Sequence, residues 1–195
     1  MGELLNAKGY KTAQLSTEPN GWLLNADAVY HFGYGNAINI SERESIILLN
    51  QILHCIELEK NPDIIIAASQ SGTIPFSNYV SSCISIAQTA FLHGIAPDAI
   101  ILCVNMDDDI DYIRRTIKHI EAYVDTRVIA IVVYPYINEI KYGGFMNQKR
   151  VGDIEDIESF SSSISEIFDG CIVIGNHMED YILVASAIEE YFTDR

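Results

Sequence analysis

An alternation along the chain constrains the fold more than any other feature. Short apolar runs are each followed by a polar loop, and then by a segment with helical periodicity. The runs are Asp63-Ile64-Ile65-Ile66-Ala67-Ala68-Ser69, Asp98 to Asn105, Arg127 to Tyr134 and Cys171 to Gly175. Continuous apolar runs of this length predict strands buried on both faces. The helical segments carry their own stripes. Leu49, Ile52, Leu53 and Ile56 share a face, and Ile110, Ile113, Ile117, Ile120 and Val124 alternate spacings of three and four. Ile154, Ile157, Phe160, Ile164 and Ile167 form a third stripe, and Tyr181, Val184, Ile188 and Phe192 a fourth. Such stripes bury one helical face. Strands alternating with amphipathic helices imply crossover connections and a mostly parallel central sheet. The fold class expected is α/β, a three-layer α/β/α arrangement over residues 1–195 as a single domain.

Local signals set the boundaries. Residues 3–8 read as the last turns of a helix, stopped by Gly9. Lys11 to Thr17 reads as a short strand, Glu18-Pro19-Asn20-Gly21 as a turn, and Ala28 to Phe32 as a second short strand before Gly33-Tyr34-Gly35-Asn36. Ser41-Glu42-Arg43-Glu44 is a capping box that opens a helix to about Lys60, ended by Asn61-Pro62. A further helix runs from about Ser77 to His93 and stops at Gly94. Pro135 to Gly152 reads as a long polar loop. The abrupt opening helix raises the expectation that the chain is the C-terminal part of a longer protein.

Composition narrows the partners. The chain has 27 acidic residues against 12 basic ones, a formal charge of −15. A general nucleic-acid binder needs a basic face that displaces counterions, so nucleic acid is not the expected partner. Anionic membranes are disfavoured for the same reason. No apolar run approaches the ~20 residues of a membrane span, and Met1-Gly2-Glu3-Leu4-Leu5-Asn6 does not read as a signal peptide. Cys55, Cys83, Cys103 and Cys171 are widely spaced, without a CxxC pair, and read as buried reduced thiols of a cytoplasmic protein.

In open parallel sheets, ligands bind outside the carboxyl ends of the strands. Four segments therefore matter: Glu18–Gly21, Gln70–Thr73, Met106–Asp109 and 135–152. No window fits the phosphate-binding G-x-x-x-x-G-K-[ST], and Gly33-Tyr34-Gly35-Asn36-Ala37-Ile38 fails the dinucleotide fingerprint at its third glycine. Gln70-Ser71-Gly72-Thr73 reads either as a ligand-binding loop or as a plain connection. Ser71 offers a hydroxyl nucleophile, but no G-x-S-x-G elbow surrounds it. Asp107 and Asp108 could hold Mg²⁺, while the same acidic cluster also suits a helix N-terminus. Lys141, Lys149 and Arg150 could clamp an anion or simply be solvated. The five histidines show no metal-ligand spacing.

Three segments carry a resemblance. Ser16-Thr17-Glu18-Pro19-Asn20-Gly21-Trp22-Leu23 resembles an A-T-G-Q-T-G-I-L stretch, sharing Thr17, Gly21 and Leu23. Ile66-Ala67-Ala68-Ser69-Gln70-Ser71-Gly72 resembles an apolar strand ending in E-G-Q-G-S, sharing Gln70. Phe91-Leu92-His93-Gly94-Ile95-Ala96-Pro97-Asp98-Ala99 resembles L-L-H-G-x-x-P-D-A, which is nearly complete. All three patterns are those of the P-loop-fold family that includes D-glutamate N-acetyltransferases, related in fold to dethiobiotin synthetase, and the chain resembles that family. The similarity covers roughly residues 1–110. Within that family the chain looks similar to the branch of peptide maturation system proteins, which accompany radical-SAM maturases and bacteriocin-like precursor peptides.

The resemblance implies a P-loop NTPase-like fold, and together with the loop readings above it gives an expected ligand site at Thr17, Gly21, Gln70, Ser71, Gly72, Thr73, His93, Lys149 and Arg150. The family's P-loop is absent from this chain. Ala68 and Ser69 replace its acidic residue and the neighbouring glycine, so Mg²⁺-ordered phosphoryl chemistry loses its carboxylate. The resulting expectation is a non-hydrolytic accessory protein that binds a precursor peptide or a maturation enzyme. The alternative is an acyltransferase or ATP-dependent enzyme acting on a small amino-acid or peptide substrate, with a nucleotide and Mg²⁺ or acetyl-CoA as cofactor if a P-loop lies upstream. A missing first strand would leave a sheet edge uncovered, which makes a homodimer a further expectation.

Overall fold

The computed structural model describes residues 1–31, 40–70, 72–75, 84–141 and 146–193. It divides into two compact units, Met1–Pro97 and Asp98–Arg195.

The first unit opens with α1 (Gly2–Ala7) and β1 (Thr12–Ser16). Gly9 ends the helix at φ 100°, where a side chain would be strained. The Tyr10 N–H reaches back to the Leu5 carbonyl and the Gly9 N–H to that of Asn6, the paired bonds of a Schellman stop. The expected turn after β1 continues as a 3-10 helix over Pro19–Leu24. β2 is shorter than expected, Ala28–Val29, and the glycine-rich segment after it lies outside the described residues. α2 (Glu42–Lys60) carries the predicted capping box: the Glu44 N–H donates to Ser41 Oγ, and the Ser41 N–H donates to the Glu44 carboxylate at 2.8 Å. β3 (Ile64–Ala67) and α3 (Ile84–Ile95) follow.

β1 lies between β2 and β3, and both pairings are parallel. Alternate residues of β1 face opposite ways. Ala13 and Leu15 are buried with Tyr30, Leu49, Ile56 and Phe91. On the other side, α1 comes close enough that a Cβ on Gly2 would sit 3.4 Å from Thr12 Oγ1 and 3.7 Å from Ile66 Cδ1. Helices thus flank this sheet on both faces. β3 is only half-buried along its length, against the expectation of burial on both faces. It takes the outer place in the strand order, so fewer neighbours cover it.

Gly94 does not stop α3 as expected. The helix continues to Ile95, and Ala96 takes the left-handed conformation at φ 41°. Gly94 is spent on packing instead: a Cβ there would lie 2.8 Å from Leu49 Cδ1 and 3.2 Å from Ile46 Cα of α2.

The second unit repeats the scheme. β4 (Ala99–Asn105), β5 (Arg127–Tyr134) and β8 (Cys171–Ile174) form a parallel sheet in the order β4-β5-β8. Ile131, Val132 and Val133 are buried in succession, so this central strand is covered on both faces. α4 (Ile110–Tyr123) buries Ile113, Ile117 and Ile120, the stripe read from the sequence. α5 (Ile154–Ser165) begins at an Asp153/Asp156 capping box, and α6 (Met178–Thr193) buries Val184, Ala185 and Ile188. Both units are α/β, with parallel sheets flanked by helices in the layering of a three-layer α/β/α fold.

The segment 135–152 is not a loop. β6 (Tyr136–Lys141) and β7 (Met146–Val151) pair antiparallel, Tyr136 opposite Val151. The thiols also differ from expectation. Cys55 and Cys103 are exposed and Cys171 is half-buried, all three unbonded, while Cys83 lies outside the described residues. Cys103 sits on β4, an outer strand of its sheet, which explains its exposure. Among the described residues, no helix is long and apolar enough to cross a membrane.

Candidate functional site

Parallel pairing of β1 with β3 carries their carboxyl ends to one rim. Thr12 aligns with Ile64 and Leu15 with Ala67, so the segments after Ser16 and after Ala67 emerge side by side. The Ala68 N–H still donates to the Leu15 carbonyl at 2.9 Å, extending the ladder by one residue. Beyond it the Gln70 side chain crosses over. Its Nε2 donates to Thr17 Oγ1 at 3.5 Å and to the Glu18 carboxylate. Residues about fifty positions apart are thereby tied together by one amide.

Each member is placed by its local chemistry. Thr17 is the buried residue that follows β1, with its side chain turned into the rim. Ser16 Oγ accepts the Glu18 N–H at 3.1 Å, which turns the chain into the 3-10 helix. Gly21 is buried directly against this corner. A Cβ there would fall 2.5 Å from Ser16 Cβ and 2.6 Å from its Oγ, so glycine alone permits the approach. Gly72 holds φ 92°, which glycine again adopts freely, and Thr73 beside it is buried. Ala68 and Ser69 are exposed at the rim. Ser69 Oγ donates to Gln88 Oε1 at 2.6 Å, anchoring the loop to α3.

The predicted set is therefore brought together in part. Thr17, Gly21 and Gln70 meet at one corner, and Gly72 and Thr73 follow Gln70 within three positions. Ser71 lies outside the described residues. His93 is exposed in the last turn of α3, five residues beyond Gln88 and so about 7.5 Å further along the helix axis. Three contributors were not read as ligand-binding residues from the sequence: Glu18, Ser69 and Gln88. Gln88 did leave a signal, since it is the one amide side chain in the apolar run Ile84–Ile95.

The second unit has its own rim. Asp109 caps α4, its carboxylate accepting the Tyr112 N–H at 2.9 Å. Asp108 Oδ2 accepts the Asn105 N–H at 2.7 Å, and Asp107 is exposed. Burial pushes the Asp108 carboxyl above the ordinary carboxylate range, the Asn105 N–H works against that, and the neighbouring Asp107 charge adds to it. Among the described residues, no group of three or more His, Cys, Asp or Glu is arranged to hold a metal ion. Arg150, read from the sequence as either an anion clamp or a solvated loop residue, places its guanidinium 2.6 Å from Asp156. Lys149 lies opposite Asn138 in the hairpin. A cleft of about 360 Å³ opens between Met106, Ile137, Asp153, Asp156 and Phe160. Two of its carboxylates are engaged, Asp153 in the cap of α5 and Asp156 with Arg150 as well.

No protein-family model matches the chain, and no curated protein does either.

Proposed function

We propose that the rim at the carboxyl ends of β1 and β3 is the ligand site of a non-hydrolytic binding module serving ribosomal peptide maturation. The observation that carries the reading is Gln70 bridging Thr17 and Glu18, which joins two loops into one polar edge. Open parallel sheets bind ligands at such edges. Ala68 supports the non-hydrolytic half of the reading. It is exposed where the family it resembles carries a carboxylate, and a methyl group orders neither Mg²⁺ nor water. The peptide-maturation context rests on the resemblance of residues 1–110.

The test is a titration of the full chain, followed by thermal unfolding. A ligand that binds only the native state raises the melting temperature. The expected result is stabilisation by a precursor-type peptide, lost in Gln70→Ala, with no phosphate released from ATP or GTP. Stabilisation by nucleotide or acetyl-CoA, accompanied by turnover, would replace this reading with the enzymatic one.

A further inference from the structure

Directly after the rim, three large apolar side chains stand in solvent. Trp22 is 58% exposed, Leu23 85% and Leu24 70%. They are consecutive on the 3-10 helix, whose backbone is fixed beneath them. Gly21 presses on Ser16, the Ala26 N–H donates to the Gly21 carbonyl at 3.0 Å, and Asn25 closes the helix at φ 59°. Single exposed apolar residues are ordinary, whereas three large ones in succession on an ordered support mark a place where a partner packs. Tryptophan is also the residue type most often central to binding energy.

Charge selects the occupant. Glu18 lies immediately before the helix; its exposed carboxylate accepts from the neutral Gln70 amide and, among the described residues, forms no ion pair with a lysine or arginine. Residues 1–97 hold eight acidic residues against four basic ones. The helix thus presents three exposed apolar side chains just after an exposed carboxylate, that of Glu18, in a unit whose net charge is negative.

We infer that Trp22, Leu23 and Leu24, with Glu18, dock a cationic peptide segment carrying at least one large apolar side chain. This deepens the function proposed for the rim and rests on it. The apolar side chain covers Trp22 and Leu23, while a lysine or arginine of the peptide meets Glu18.

Trp22 is the single tryptophan of the chain, so its emission reports on this surface directly. The full chain is titrated with a short peptide of alternating lysine and leucine, with a glutamate–leucine counterpart and with a lysine–serine counterpart. The lysine–leucine peptide is expected to shift Trp22 emission to the blue and slow its quenching by acrylamide, and the other two to do neither. Leu23→Ser is expected to weaken binding about tenfold, and Glu18→Gln about threefold, the latter effect fading with salt. An unchanged Trp22 spectrum, or equal binding of the glutamate–leucine peptide, overturns the inference. So does a blue shift produced by protein concentration alone and lost in Leu23→Ser, which would assign the surface to a second copy of the chain. If Gln70→Ala abolishes peptide binding while Leu23→Ser leaves it intact, the rim reading stands and this inference falls. The reverse pattern removes the rim reading and keeps the apolar surface.

Discussion

The Asn50 side-chain amide donates a 2.6 Å hydrogen bond to the Gly94 carbonyl, tying the middle of α2 to the last turn of α3. The same amide also donates to the Ile46 carbonyl at 3.1 Å, so one side chain serves both helices. The bond forms because Gly94 lets the two backbones close up, with Ile46 Cα within 3.2 Å of where a Cβ would stand.

Gly94→Ala should therefore destabilise the protein, although alanine is the better helix former. The propensity gain is about 0.5–1 kcal/mol, and overpacking costs about 1–3 kcal/mol. The expected outcome is a net loss on the order of 1 kcal/mol, read by denaturant unfolding. Asn50→Ala should cost about 1 kcal/mol through the lost bond. A stabilised Gly94→Ala protein would refute the close approach.

Gln70→Ala removes the bridge between the two loops without touching the core. Its stability should change by less than about 1.5 kcal/mol. Ligand affinity should fall much further, because Thr17 and Glu18 lose the group that orients them. Unfolding and peptide titration on the same variant check both halves.

Asp109 separates two readings of the acidic loop. As the N-cap of α4 it should cost about 1 kcal/mol on change to alanine, whether or not Mg²⁺ is present. Mg²⁺ should leave the melting temperature of the unaltered protein in place. A rise with Mg²⁺ that disappears in Asp107→Asn would instead establish a cation site.

Two carboxylates should act on pH stability with opposite sign. Burial raises the Asp27 pKa, but the Gln14 N–H and the Lys60 ammonium, 3.0 Å away, outweigh it and hold the carboxyl below its ordinary value of 3.8. A depressed carboxyl stabilises the fold above the unfolded pKa, and that contribution is lost as pH falls through the folded one. Asp27→Asn should lower stability at neutral pH and have little effect in strong acid. Asp108 is raised, so it disfavours the fold once pH climbs past 3.8. Asp108→Asn should raise the melting temperature at neutral pH and leave it unchanged well below 3.8. Melting curves across pH 2–7 distinguish the pair.

What was legible in the residues alone was local. The Ser41–Glu44 capping box, the Gly9 stop and the isoleucine stripe of α4 are all seen in the structure. Each is a signal complete within one or two helical turns, where neighbouring side chains and backbone groups decide the outcome. The alternation of apolar runs with these helices likewise fixed the parallel sheets and their helical cover.

The hairpin of β6 and β7 could not be read this way. Asn147, Gln148, Lys149 and Arg150 offer no apolar alternation, and the strands are held by a backbone ladder that any sequence can form. The role of Gly94 was hidden too, because its reason is Leu49, on another helix. The candidate site divides along the same line. Thr17, Gly21 and Gln70 could be picked out one by one, but their meeting depends on the parallel register of β1 and β3. Register is a long-range property, set when two distant strands bury their faces together. No pattern within either strand encodes which residue of the other it will face.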